Sequence, residues 1–364
     1  MLFMVRVFRG APCAVSRRVP LKSFAICTAI RVLLTVFRPR QIQSLLPQSS
    51  NTYQLWLADK RKREQKQGRA LSTRQLSPDI ESLPGTDASI MWIGDRDTAT
   101  RFVLFLHGGG YVVPLTPGHL EWCWDAYVAG LPPAQGCAVA VVQYTLAPAS
   151  RQPTQLREAA AALQHLLDTG VRPANLIVGG DSAGGNLAVQ LVRHLIRPHP
   201  HVAPVSPAGD SSLAGVFLVS PLVGGDTTTQ PSLGENDVLD LLGEAVISRL
   251  KTELLGQHHP PDPAAVDALH QVDRDFASPL DGDLGWLDDW SSATRATYIT
   301  AGKQEVCRDG IVAFGDGIRA RNPGHHIVLE VPETELHGAI LLEGQDQKPG
   351  DAIRRMRDWA QAQL

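Results

Sequence analysis

The chain has 364 residues, 43% of them apolar and 20% charged, with a formal net charge of −3. That is an ordinary globular balance, long enough for one large catalytic domain with extra covering elements, and it excludes a global charge bias toward nucleic acid. The five cysteines (Cys13, Cys27, Cys123, Cys137, Cys307) are odd in number and scattered, with no C-x-x-C pair. They suggest a reducing, intracellular setting, cytoplasmic or membrane-associated, and no disulfide framework.

Residues 1–85 are expected to form an N-terminal helical extension. No acidic residue precedes Asp59, whereas Arg6, Arg9, Arg17, Arg18, Lys22, Arg31, Arg38 and Arg40 are basic. Three readings fit this stretch: a helix packed over the catalytic domain, an Arg-rich targeting peptide, or an interfacial anchor using the apolar run Ser23 to Phe37. Arg31 interrupts that run, which is also shorter than the ~20 residues of a membrane span. The charged run from Asp59 to Glu64 reads as a solvated helix face.

From Arg101 the pattern changes to short apolar runs alternating with amphipathic helices. Arg101–Leu106, Ala138–Gln143, Leu176–Val178, Ala214–Val219, Ala296–Thr300 and Ile327–Val331 read as buried strands. Leu156, Ala159, Ala160, Leu163 and Leu167 form one helical stripe, and Leu187, Leu191 and Leu195 belong to another. Such alternation predicts an α/β fold: a mostly parallel sheet with helices on both faces. A catalytic domain over 86–364 is therefore expected. Its long segment between Ser220 and Ala296 suggests a cap insertion at about 226–272, with a helix from Asn236 to Leu255.

Two loops carry chemistry. His107-Gly108-Gly109-Gly110 follows the first of these strands, and consecutive glycines let backbone N–H groups approach a substrate oxygen. Gly180-Asp181-Ser182-Ala183-Gly184-Gly185 lies between a strand and a helix, the context of a nucleophile elbow with Ser182 at its apex. A serine hydroxyl needs a base to attack an ester. Of twelve histidines, only His337 lies in a loop after the last predicted strand, where it can swing toward Ser182. The adjacent pair His258 and His259 reads as an exposed loop, and no metal-ligand spacing is present. Trp122, Trp124, Trp286 and Trp290 are read either as pocket walls or as core.

With these motifs in place, and Tyr144-Thr145-Leu146-Ala147-Pro148 between them, residues from about 100 to 340 resemble the hormone-sensitive-lipase-like family of α/β-hydrolases. The resemblance implies the α/β-hydrolase fold with a helical cap and a Ser182–His337 pair. Its oxyanion hole would involve Gly108, Gly109, Gly110 and Ala183, the last three as donors and Gly108 shaping the turn. His107 would be structural. The family's G-x-x-D acid position falls here on Glu305, with Asp309 four residues on as a structural carboxylate. Ala149 departs from the Glu that many members carry after the Y-x-L-A-P block. The implied activity is that of a serine esterase without cofactor or metal, acting on an ester or thioester of a small lipophilic metabolite. Alternatives are acyl transfer with the same triad and a non-catalytic, receptor-like binding protein. A weaker, compositional resemblance points to fungal natural-product pathways.

Overall fold

The apolar runs assemble as neighbours in one sheet. The computed structural model describes residues 2–68, 74–129, 136–206, 212–224, 229–256 and 268–364. Among them, eight strands pair in the order β1-β2-β4-β3-β5-β6-β7-β8. They are β1 (Ile80–Ser82), β2 (Ser89–Ile93), β3 (Arg101–Leu106), β4 (Cys137–Gln143), β5 (Leu176–Asp181), β6 (Gly215–Val219), β7 (Ala296–Thr300) and β8 (His326–Glu330). From β4 to β8 every pairing is parallel, while β1 and β2 are antiparallel additions at one edge. The central strands are apolar on both sides because helices cover both faces. Packed against them are α5 (Pro117–Cys123), α6 (Thr154–Asp168) and α7 (Ser182–Ile196).

The edge hairpin corrects the expected helical extension to residue 85. That extension is helical only to Lys66, as α1 (Leu2–Ser16), α2 (Leu21–Val36), α3 (Pro39–Leu45) and α4 (Ser49–Lys66). Beyond it, the Pro84-Gly85 turn, with Gly85 at φ +74°, folds β1 back on β2. A turn signal of this kind was present in the sequence, but a three-residue strand carries too little periodicity to be seen.

The expected solvated face on α4 holds at Asp59, Arg61 and Lys62, which are exposed, and is corrected at Lys60 and Glu64. Lys60 and Glu64 are buried, and Glu121 accepts hydrogen bonds from Lys60 Nζ (2.5 Å), Trp56 Nε1 (2.7 Å) and Arg63 Nη2 (2.9 Å). Opposite charges within one buried cluster offset part of the desolvation cost. The cluster ties α4 to the catalytic half of the chain. The four tryptophans are all core residues, each at most 1% exposed.

In the insertion, the expected helix from Asn236 to Leu255 is broken. Two helices stand in its place, α8 (Pro231–Asn236) and α9 (Glu244–Leu255). Between them the backbone carbonyls turn toward Arg31 of α2. Its guanidinium donates to the carbonyls of Asp237, Asp240 (3.1 Å) and Leu242 (2.8 Å) and to Asp237 Oδ1 (2.6 Å). A helical 237–243 segment would hold those carbonyls in its own ladder and leave the buried cation without acceptors. Arg249 of α9 in turn donates to the carbonyls of Leu34 (2.9 Å) and Phe37 (2.6 Å) at the end of α2. Residues 226–228 and 257–267 of the expected insertion, His258 and His259 among them, lie outside the described residues.

Before β7 lie α10 (Ala268–Ala277) and α11 (Trp290–Ala293); α12 (Arg308–Arg321) connects β7 to β8, and α13 (Ala339–Gln345) and α14 (Asp351–Gln363) follow β8. All five cysteines carry free thiols. No described helix is long and apolar enough to cross a membrane.

Candidate active site

The loops leaving β3, β5, β6, β7 and β8 at their carboxyl ends meet at one place, the usual location of a site in an open parallel sheet. Ser182 sits at the β5–α7 junction with φ +50°, a left-handed conformation that is costly for a residue with a side chain. Its surroundings leave the turn no alternative. A Cβ on Gly180 or on Gly184 would come within 1.9 Å of the Leu106 carbonyl oxygen. The elbow is thus pressed against the end of β3, and only residues without side chains permit that approach. Replacing Gly184 by Ala should force the backbone apart and cost about 1–3 kcal/mol of stability. A urea denaturation midpoint unchanged from the parent protein would show the contact to be soft.

His337 lies in the loop before α13, 3% exposed. Its Nε2 is 2.8 Å from Ser182 Oγ and its Nδ1 is 2.9 Å from Glu305 Oε2. The other Glu305 oxygen accepts the Gly302 N–H (2.5 Å) and the Ser220 hydroxyl (2.6 Å). Burial alone would lower the His337 pKa, but the hydrogen bond and charge of Glu305, with the charges of Asp240 and Asp181, more than offset it, so the net shift is upward. Asp309 does not reach His337. It accepts the Ser232 N–H (2.8 Å) and pairs with Arg308 (2.8 Å) in the first turn of α12.

Several neighbours of the acid were not evident from sequence. Ser220, at φ +47°, holds Glu305 from the end of β6. A hydroxyl at the carboxyl end of a parallel strand is a recognisable signal for this place. Asn236 Nδ2 donates to the carbonyls of Glu305 (2.8 Å) and Lys303 (3.1 Å), and Asp240 Oδ2 accepts the Val306 N–H (2.8 Å). Burial, with the nearby Glu305 charge, pushes the Asp240 carboxyl up to about 6 although His337 opposes the shift. No motif announces either residue, because both arrive from the inserted segment.

The glycine loop is positioned by its flanks. The His107 ring stacks on Tyr144 at 4.4 Å, Tyr144 donates to the His107 carbonyl (2.7 Å), and His107 Nδ1 lies 2.7 Å from the Gly108 carbonyl. Burial, helped by His119, holds the His107 pKa down at about 4, so the ring stays neutral. Gly108, expected to shape the turn, has its N–H engaged within the protein. Its N–H donates to Asp181 Oδ1 (2.9 Å), and a Cβ there would meet Asp181 Oδ2 at 2.1 Å. Asp181 is the residue before the nucleophile, so this bond locks the glycine loop to the elbow. His119 Nε2 approaches the same carboxylate at 3.3 Å, and its Nδ1 accepts the Thr116 N–H (3.1 Å). Burial would raise the Asp181 pKa, but His119 and the Gly108 N–H bring it below its ordinary value.

Gly109 and Gly110 adopt φ +110° and +61°, and among the described residues their N–H groups have no acceptor. Ala183, second residue of α7, has an N–H without an intrahelical partner, at the positive end of the helix dipole. Beside Gly110 opens a largely apolar cleft, walled by Tyr111, Leu222, Val223, Ile247, Leu250 and Leu254. Leu250 of α9 touches the glycine loop, since a Cβ on Gly110 would meet it at 2.6 Å. Among the described residues no cluster of His, Cys, Asp and Glu could hold a metal ion.

A family model for the alpha/beta hydrolase fold matches residues 103–341. An acetyl-hydrolase of Streptomyces hygroscopicus is 34% identical over 224 residues, covering 60% of this chain and 62% of its own length. An esterase of Acinetobacter venetianus is 28% identical over 219 residues, covering 60% and 61%. Lipase 2 of a Moraxella species is 33% identical over 107 residues, covering 28% and 24%. The matched segments thus span less than two thirds of these relatives' lengths. Among solved structures, an esterase from the bacterial hormone-sensitive lipase family superposes with a TM-score of 0.61 at 21% identity, covering 94% of this chain and 98% of its own. A thermostable esterase from Pseudomonas putida gives 0.67 at 18% identity, covering 95% and 98%. At these identities the likeness to solved structures is one of fold.

Proposed function

Because the chain belongs to the α/β-hydrolase family, we propose that it is a serine esterase of the hormone-sensitive-lipase-like group, cleaving carboxylic esters of small apolar molecules. The observation that carries this reading is the hydrogen-bonded series Ser182 Oγ, His337 and Glu305, at 2.8 and 2.9 Å. His337 Nε2 takes the serine proton as Oγ attacks the ester carbonyl. Glu305 holds the ring with Nε2 toward Ser182 and stabilises the imidazolium that forms. The N–H groups of Gly109, Gly110 and Ala183 receive the developing oxyanion. The imidazolium then protonates the leaving alcohol. Water, activated by the same ring, releases the acid from the acyl-enzyme.

The apolar cleft beside Gly110 suits an acyl chain, and the name of the Streptomyces relative makes an acetyl ester the first substrate to try. We take α1–α3 with α8 and α9 as the cap over this cleft. Supporting this are the contacts of Arg31 and Arg249 across the two segments and of Leu250 with the glycine loop.

The test is turnover of p-nitrophenyl esters of graded chain length, with labelling by a fluorophosphonate. Turnover with stoichiometric label on Ser182 is expected. A folded protein that neither hydrolyses any ester nor takes the label would refute the reading. Acidity adds a second check. Only neutral imidazole accepts the serine proton, and the His337 pKa is raised. Therefore kcat/KM should fall with a one-proton slope as pH drops through a midpoint above that of free imidazole. A midpoint below it would contradict the Glu305–His337 pair.

A further inference from the structure

We propose that the outward face of α1 docks on an anionic lipid surface. The helix is apolar on the wrong side for a solvated element. Its inward face is formed by Gly10 and Ala14, both buried, with Gly10 close against the Phe24 ring of α2. Opposite them, Met4, Phe8 and Val15 fall on one stripe at helical spacing, 60%, 83% and 62% exposed. Pro12 and Val5 widen this stripe, and Leu21 at the start of α2 continues it at 55% exposure. A surface helix ordinarily turns charged or polar residues to water, so a contiguous apolar face with an aromatic at its centre marks a contact surface.

Charge selects the occupant. Arg9 and Arg18 are exposed beside the stripe, and no acidic residue precedes Asp59. A second copy of this face would bring like cations together, whereas an anionic headgroup layer complements them while the acyl boundary takes Met4, Phe8 and Val15. The helix would lie in the interface, since no described helix can span a membrane.

The docked helix would also sit on the active-site loops. Arg17, at the end of α1's turn into α2, donates to Asn236 Oδ1 (2.7 Å) and Gln304 Oε1 (2.9 Å). Ala14, Phe24 and Cys27 pack with Leu239 and with Leu336, the residue before His337. Lipid contact at α1 therefore holds the loops of Glu305 and His337 beside the surface.

Cosedimentation with vesicles tests this without reference to catalysis. Vesicles of phosphatidylcholine alone are compared with vesicles containing phosphatidylglycerol, using the full chain, Met4→Glu/Phe8→Glu and Arg9→Gln. The parent should pellet with the anionic vesicles and much less with the neutral ones. Met4→Glu/Phe8→Glu should lose at least about tenfold in partitioning, and Arg9→Gln about fivefold, each with an unchanged thermal midpoint. Should the double variant not fold, the exposed Arg9→Gln variant decides alone. A parent that stays in the supernatant, or variants that pellet equally, overturns the proposal. So does a concentration-dependent dimer that Met4→Glu/Phe8→Glu dissociates, which would assign the face to a second copy.

Discussion

Ester turnover by Ser182→Ala should fall by about 10⁴-fold or more, because the remaining groups can bind and polarise an ester but have no nucleophile to deliver. The fold should survive. Ser182 is 8% exposed, and its partner in the site is a single nitrogen of His337. The backbone at φ +50° is strained for Ser and Ala alike. Ser182→Gly relieves that strain, so it should be inactive yet more stable than the parent by about 1 kcal/mol, the strain less the extra chain entropy of glycine. Steady-state rates on p-nitrophenyl acetate and urea midpoints for the three proteins check both statements. Near-parental turnover by folded Ser182→Ala removes Ser182 from the chemistry. A Ser182→Gly protein less stable than Ser182→Ala removes strain from the account of the elbow.

The chemistry-bearing loops were legible because each lies against a strand with a strong apolar signature. Glycines at 108–110 and at 180, 184 and 185 are costly to an ordinary element, so their clustering at two strand ends pointed to close backbone approach. What the residues alone could not separate, and only the family resemblance assigned, was the duty of each glycine. Gly108, Gly109 and Gly110 are identical in sequence, and only the folded chain brings the Asp181 carboxylate onto the first of them. The edge strand β1 escaped for a different reason: three residues give periodicity no length over which to show.

The inserted segment was least legible, since its shape depends on a residue more than two hundred positions away. Arg31 sits in an otherwise apolar helix, where local reasoning asks only that its charge reach water or an acid. In the fold its guanidinium gathers the carbonyls of 237–242 and breaks a stretch that reads as continuous helix. That break frees Asn236 and Asp240 to hold the backbone around Glu305. A cation in the N-terminal extension and the positioning of the acid loop are therefore linked, a relation that no window along the chain contains.

The acid position is where sequence offered two carboxylates and geometry separates them. Glu305→Gln should lower kcat by about 10³–10⁴-fold while Asp309→Asn stays within a few-fold of the parent. The uncharged amide cannot stabilise the imidazolium. It also places an N–H donor among Gly302 N–H, the Ser220 hydroxyl and His337 Nδ1, where the carboxylate now accepts from all three. Mispairing there turns the ring or selects its wrong tautomer, so KM should change much less than kcat. Asp309 instead fixes the Ser232 N–H and Arg308 at the start of α12. Its loss should appear as about 1 kcal/mol of stability. A pH profile distinguishes the two roles further. Without the Glu305 charge, the largest support of the raised His337 pKa is gone and only the Asp240 and Asp181 charges oppose burial, so the acid limb should move to lower pH in Glu305→Gln. In Asp309→Asn it should not move. Were Asp309→Asn the variant that lost kcat and shifted the limb, the acid of this site would be Asp309, and the 2.9 Å contact of Glu305 with His337 would be structural only.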